Sequence, residues 1–233
     1  MIDYSTGAVA AFAVASALFG RERKGTGEYI DVALLDIAMY AMSPYMTHFR
    51  RTGETFARSG SAHPATAPNQ IFETRDGYIL IASAAEHMWR KLCDVLGIQA
   101  MAEDPRFANQ SLRNRNIDEL ETVLNEQTRK FDALELEEKL LTAGVPCGKV
   151  RSIAEIIDEP HVVARGIVET NLHPHAGSLT TSRTPVLLSG QASPMRRHAP
   201  MLGENTREVL AELGYESARI DALIKADVAR QYI

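Results

Sequence analysis

The sequence predicts a mixed fold in which helices outnumber strands and the two are interspersed along the chain. Three observations lead there. The run Ala8 to Gly20 is almost entirely small and apolar, with no polar face, and reads as a helix buried on nearly all sides. Residues 70–73 and 77–82 flank Thr74-Arg75-Asp76 and read as a β-hairpin, with Asp76-Gly77 as the turn signal. Several stretches between residues 86 and 142 repeat apolar residues at helical spacing. The class is therefore α/β or α+β.

The elements follow in order. The first helix starts near Thr6 and ends by Gly20 or Lys24, with the charged cluster Arg21-Glu22-Arg23-Lys24 closing it. Gly25-Thr26-Gly27 makes a turn, and residues 28–32 alternate polar and apolar, which fits a short strand. Residues 33–51 are helical again, with Leu34, Leu35, Ala38, Met39, Met42 and Tyr45 at helix spacing; Pro44 kinks the helix or starts a new turn. Residues 52–69 form a loop punctuated by Gly53, Gly60, Pro64 and Pro68. At roughly 17 residues it exceeds most connections in compact domains, and long ordered loops are often functional.

After the hairpin, residues 86–96 place Met88, Trp89, Leu92, Cys93 and Leu96 on one face of a helix stopped by Gly97. Residues 104–107 are a turn. Residues 116–130 and 132–142 are two further amphipathic helices, with Phe131-Asp132 as break and cap. Residues 144–150 are tight and extended. A short helix over 152–158 is capped by Ser152 and stopped before Pro160. Residues 167–172 read as a strand, 173–203 are rich in Pro, Gly and Ser with a short strand at 186–188, and helices follow over 204–213 and 217–229. There is no internal repeat.

Bulk properties narrow the function classes. A chain of 233 residues makes one large domain or two small ones. Hydrophobic residues at 45% and charged residues at 24% fit a soluble globular protein and argue against disorder. A net charge of −5 leaves no electrostatic footprint for nucleic acid. Two distant cysteines, Cys93 and Cys147, imply no disulfide framework and suit a reducing compartment. The 8–20 run is too short to span a membrane, and Asp3 stands where a signal peptide would carry basic residues. The expectation is a cytoplasmic protein without membrane or nucleic-acid partners.

Three stretches carry a resemblance. The first is Asp3-Tyr4-Ser5-Thr6-Gly7, the small-residue helix, then Arg21-Glu22-Arg23-Lys24-Gly25-Thr26-Gly27-Glu28-Tyr29-Ile30-Asp31-Val32. The second runs from Pro64 to Ala82 and ends in Phe72-x-Thr74-x-Asp76-Gly77-Tyr78-Ile79. The third combines Gly144-Val145-Pro146-Cys147-Gly148, Asp158-Glu159-Pro160-His161 and Ala199-Pro200-Met201-Leu202-Gly203-Glu204-Asn205-Thr206. Their order and spacing resemble the family III CoA-transferases, the CaiB/BaiF group that includes formyl-CoA and carnitine CoA-transferases and α-methylacyl-CoA racemases.

The resemblance implies part of a Rossmann-like large domain plus a smaller α+β domain in an intertwined homodimer. It assigns residues 1–50 to the large domain, with the catalytic aspartate and a long linker helix; 51–165 to the small domain; and 166–233 to a segment returning to the large domain. It also implies that this is the carboxyl-terminal portion, with the amino-terminal CoA-binding region absent or supplied by another chain. The substrates implied are an acyl-CoA and a carboxylic acid; coenzyme A is substrate, and no further cofactor is expected.

Read on its own residues, Asp3 is a helix N-cap. The resemblance makes it the nucleophile that forms an aspartyl anhydride and then an aspartyl-CoA thioester. Gly60 and His63 become candidates for substrate contact in a loop that covers the active site, although His63-Pro64 also suits a plain turn. Glu86 is a further candidate, against its reading as a first-turn glutamate favoured by the helix dipole. Cys147 reads as a buried small hydrophobe, since only Lys149 is basic beside it. His173-Pro174-His175 lacks acidic or Cys partners at ligand spacing and reads as a solvated turn, not a metal site. Two alternatives stand beside transfer: an α-methylacyl-CoA racemase, which needs an acid and a base, and a non-catalytic fragment.

Overall fold

A computed structural model describes residues 1–193, 195 and 197–232. Contacts divide the chain into two compact units, Met1–Val150 and Arg151–Ile233. The mixed class is borne out, and every strand ladder among the described residues is antiparallel.

The first unit opens with three helices: α1 (Ile2–Lys24), α2 (Leu34–Ala41) and α3 (Ser43–Thr52). Gly25 closes α1 in the left-handed conformation, and Arg21, Arg23 and Lys24 complement the helix dipole in its last turn. Pro44 starts α3 instead of kinking a single helix, because its missing N–H is harmless in a first turn.

Two expectations fail here. Residues 28–32 form no strand, because a strand exists only through a hydrogen-bonded neighbour and no other strand pairs with them among the described residues. No residue of α1 is buried, although its composition reads as core. Phe12 is 74% exposed and Phe19 61%, and the main packing partner of α1 is α2. The helix is also longer than its apolar run. At 23 residues it has the length and composition of a membrane span, which a core helix equally satisfies.

The compact core of this unit is a sheet with helices on one face. The hairpin strands β1 (Asn69–Glu73) and β2 (Tyr78–Ala82) pair with Phe72 opposite Ile79 and Gln70 opposite Ile81. All four point to the buried side, following the two-residue period of a strand. Helix α4 (Glu86–Leu96) places Trp89, Leu92, Cys93 and Leu96 on its buried face, and Gly97 ends it. Short helices α5 (Gln99–Ala102) and α6 (Gln110–Arg115) follow; neither was expected from the sequence. Helix α7 (Ile117–Thr128) buries Leu120 and Leu124, and α8 (Ala133–Thr142) buries Leu136 and Leu140. Strand β3 (Cys147–Lys149) then adds to β2, giving the order β1-β2-β3.

The hairpin tip is clamped to the α7–α8 connection. Arg75 binds the Asp132 carboxylate through Nε at 2.7 Å and Nη2 at 2.6 Å. Asp132 holds the N-cap position of α8, yet its side chain serves Arg75 and makes no cap bond. Asp76 acts instead, its Oδ1 accepting the Ala133 amide at 2.7 Å. The cap therefore comes from the hairpin, across the fold, and not from the adjacent residue.

The second unit begins with α9 (Ile153–Ile156), held by a capping box between Ser152 and Glu155, and α10 (Pro160–Arg165), closed by left-handed Gly166. Strands β4 (Val168–His173) and β5 (Gly177–Ser182) form a hairpin, and β6 (Leu187–Leu188) pairs with β7 (Gln191–Ala192). Strand β5 lies inside the stretch expected to be irregular, because every one of its residues is exposed and no apolar alternation marks it. Helices α11 (Thr206–Glu212) and α12 (Ser217–Lys225) complete the unit.

The turn of the β4–β5 hairpin is solvated at residues 174–176, as expected, but not at His173. His173 is buried; its Nδ1 accepts the amides of His175 at 3.1 Å and Ala176 at 3.0 Å. With Nδ1 an acceptor, Nε2 carries the proton and donates to the Ala199 carbonyl at 2.8 Å. His173 is thus a structural staple.

Candidate active site

Asp3 lies in the first turn of α1, exposed, where unsatisfied helix N–H groups favour a carboxylate. The helix begins at Ile2, ahead of the expected start near Thr6, so Asp3 is wound into the helix instead of capping it. Thr6 Oγ1 donates to the Ile2 carbonyl at 2.8 Å and steadies this turn. Among the described residues no hydrogen bond or ion pair engages the Asp3 carboxylate. Nucleophilic carboxylates need this availability, since a carboxylate fixed by arginine is a weaker nucleophile.

Gly60 and His63 sit in the 53–68 loop, as expected. Gly60 has φ +60°, a conformation that favours glycine, within a turn where the Ala62 amide donates to Ser59 O at 2.9 Å and Ser59 Oγ donates to Ala62 O at 2.7 Å. The His63 amide donates to Asn69 O at 2.9 Å, and its Nδ1 accepts from the Ala65 amide at 3.2 Å. The ring is oriented by the Ala65 backbone amide at Nδ1. Ser61 Oγ accepts the Ile71 amide at 3.1 Å, tying the loop to the edge of β1.

A cleft of about 290 Å³ opens beside this loop. Its polar lining is Arg58, Ser59, His63, Asn114, Asp118 and Glu121, with Phe56 as an aromatic wall. Phe56 also packs edge-on against Tyr45 at 5.4 Å and beside His48 at 4.4 Å, joining the loop to α3. Of the four sequence-predicted residues only His63 lines this cleft; Asp3, Gly60 and Glu86 do not.

Glu86 has a different occupation. Its carboxylate takes Arg113 in a fork, Oε2 to Nη1 at 2.9 Å and Oε1 to Nη2 at 3.1 Å, and accepts the Gln110 amide at 3.1 Å. Arg113 has no exposed surface. Its remaining donors reach the carbonyls of Ala67 at 2.9 Å, Phe107 at 3.1 Å and Ala84 at 2.8 Å. All five guanidinium N–H groups are therefore spent, and the plane lies 5.4 Å from the Trp89 ring centroid. Hydrogen bonding from Arg113 holds the Glu86 carboxyl below the usual carboxylate range. Arg113 binds the end of the 53–68 loop to the helical layer. It sits in the polar stretch Gln110–Arg115, where nothing in the sequence distinguishes it from its exposed neighbour Arg115.

The thiols are quiet. Burial pushes Cys93 up to about 12 and Cys147 up to about 11, and Cys147 Sγ sits 3.6 Å from the Glu137 carbonyl. Among the described residues no cluster of His, Cys, Asp or Glu has the arrangement of a metal site.

Comparison with known proteins places the chain in a family. The family model of CoA-transferase family III matches residues 1–206. The chain is 33% identical to the succinate–glutarate CoA-transferase of Agrobacterium fabrum, over 91% of this chain and 53% of that protein. It is 32% identical to the acetyl-CoA:oxalate CoA-transferase of Acetobacter aceti, over 88% and 52%. A crystal structure of a CAIB/BAIF family protein from Brucella suis superposes with a TM-score of 0.72 at 32% identity, covering 89% of this chain and 54% of that one. The chain belongs to CoA-transferase family III. It spans about half the length of the curated relatives it matches.

Proposed function

We propose that this chain takes part in moving CoA between an acyl-CoA and a carboxylic acid, with Asp3 as the nucleophile. The observation that carries this is the family match, which begins at residue 1 and includes the exposed, unengaged Asp3 carboxylate in the first turn of α1. The Asp3 carboxylate attacks the thioester carbonyl, the C–S bond breaks, and CoA thiolate leaves behind a mixed anhydride. The thiolate attacks the Asp3 carbonyl of that anhydride, releasing the donor acid and forming aspartyl-CoA. The acceptor carboxylate then displaces the thiolate, giving a second anhydride. Thiolate attack on the acceptor's carbonyl yields the new acyl-CoA and frees Asp3. The helix amides stabilise the negative charge that develops next to Asp3.

The relatives named above act on succinate, glutarate and oxalate, so short dicarboxylic acids are the first acceptors to assay. The apolar surfaces of α1 and α2, with Phe12, Phe19 and Leu35 largely exposed, call for a cover of protein. We assign that cover to a second copy of the chain or to a chain carrying the CoA-binding region, and the setting to the cytoplasm.

The test is intact-mass spectrometry after incubation with short acyl-CoAs, with and without hydroxylamine. A hydroxylamine-sensitive adduct mapping to Asp3, absent in Asp3→Asn, is the expected result. Transfer activity retained in a folded Asp3→Asn protein refutes the nucleophile.

A further inference from the structure

The Asp158–His161 stretch has no part in the transfer chemistry above, yet its Glu159 and His161 line an open cavity in the second unit. Pro160 starts α10 and Gly166 ends it, so this short helix presents His161, Val162 and Arg165 towards one side. The cavity there measures about 510 Å³, within the range of small-molecule sites of roughly 300–1,000 Å³. Its apolar wall is Ile156, Val162, Ile167 and Pro185; its polar groups are Arg151, Glu159, His161 and Arg165.

The charges do not balance. Arg151 and Glu159 pair at 3.4 Å and offset each other. No carboxylate lies within ion-pair distance of Arg165 among the described residues. Behind the wall sits Arg183, only 8% exposed. Its guanidinium donates to the carbonyls of Gly166 at 2.8 Å, Arg165 at 2.8 Å and Thr184 at 2.6 Å. These residues adjoin Ile167, Arg165 and Pro185 of the lining. Carbonyl dipoles orient Arg183 but do not cancel its charge, and a buried charge without a counterion is costly. Within the lining Arg151 and Arg165 stand against Glu159, an excess of one positive charge beside an apolar wall; Arg183 behind it and the exposed Asp158 both lie outside the lining.

We propose that this cavity binds a small organic anion: an oxyanion headgroup, carboxylate or phosphate, on a short apolar body. The headgroup lies at Arg165 and His161, and the body lies against Ile156, Val162, Ile167 and Pro185. The site uses no residue of the transfer reading and stands or falls independently of it.

The test is amide-resolved NMR of the full chain titrated with benzoate, phenyl phosphate, inorganic phosphate and the neutral analogue benzyl alcohol. Saturable shifts centred on residues 159–167 are expected with benzoate or phenyl phosphate, and the tighter of the two identifies the headgroup. Inorganic phosphate binds more weakly for want of a body. Arg165→Ala, an exposed substitution, weakens binding about tenfold, as expected for one charge-assisted hydrogen bond. Glu159→Gln strengthens it by removing the opposing charge. Absence of saturable shifts with the organic anions, shifts unchanged in Arg165→Ala, or equal shifts with benzyl alcohol overturn the proposal.

Discussion

Replacing Arg113 by alanine is expected to destabilise the first unit more than any other single charge deletion in it. The side chain has no exposed surface, and three of its five hydrogen bonds go to the carbonyls of Ala67, Ala84 and Phe107. Deletion leaves these acceptors without their donor and opens a void beside Trp89. Each orphaned buried acceptor costs about 1–3 kcal/mol, so the lower end already gives about 3 kcal/mol for the set. Breaking a buried ion pair from one side typically costs about 3–5 kcal/mol. The Glu86 side chain is 53% exposed and water takes up its lost partner, which argues for the lower part of that range. A loss of about 3–5 kcal/mol lowers the melting temperature by roughly 6–20 °C in a unit of this size. The assay is urea and thermal unfolding of Arg113→Ala beside Glu86→Gln, which keeps the side chain's size but only one of its two acceptors; it is expected to be milder because that side chain is half exposed and water can take up the lost partner. A loss below about 1 kcal/mol for Arg113→Ala, well under the cost of even one fully orphaned pair, refutes the clamp.

Acid unfolding tests the same pair. The folded-state pKa of Glu86 is depressed, so its contribution is present above the usual carboxylate pKa and is lost as pH falls through the lower folded value. Glu86→Gln should therefore lower the neutral plateau and flatten the acid limb below about pH 4.5, so that variant and parent converge in stability at low pH, as read by circular dichroism. The thiols should resist alkylation in the native protein. With pKa values near 12 and 11, the thiolate fractions of Cys93 and Cys147 at pH 8 are about one in ten thousand and one in a thousand. Iodoacetamide labelling followed by mass spectrometry should find both sites only after denaturation. Gly203→Ala should loosen the carboxyl-terminal tail, because φ is +83° and a Cβ would lie 2.8 Å from the Arg230 carbonyl oxygen. Hydrogen exchange should rise at Tyr232, whose amide now donates to Gly203 O at 3.1 Å.

Elements that organise themselves locally were legible in the sequence. The 69–82 hairpin, the Trp89–Leu96 face of α4 and the Ser152 capping box each announce themselves within a dozen residues, by alternation, helical spacing or a side chain that bonds three positions away. Features made by distant partners were not. Arg113 reaches residues 27 to 46 positions away, and Asp76 caps a helix from 57 positions away. Nothing local marks either one, and the same holds for His173, whose burial depends on Ala199. The candidate site divides in the same way. The placement of Asp3 at a helix start and of Gly60 and His63 in a loop was legible through motif and turn chemistry, whereas the engagement of Glu86 by a buried arginine required the fold.

Helix α1 shows why composition alone misleads about burial. Its sequence from Ala8 to Gly20 carries almost no group that prefers water, and on that ground it reads as core. Yet burial is a relation between two surfaces, and α1 meets chiefly α2, leaving none of its residues buried. Covering one large apolar side chain is worth about 1.5–3 kcal/mol, so several residues such as Phe12 and Phe19 provide a substantial drive for association. The same face supports the reading of Asp3 as a nucleophile. A mixed anhydride survives only where water is excluded, and protein packed on α1 beside its first turn would exclude it. Replacing Phe12 and Phe19 by serine should therefore lower the sedimentation coefficient and abolish any Asp3 adduct together. Loss of the adduct with association intact would separate the two roles and contradict this account of α1.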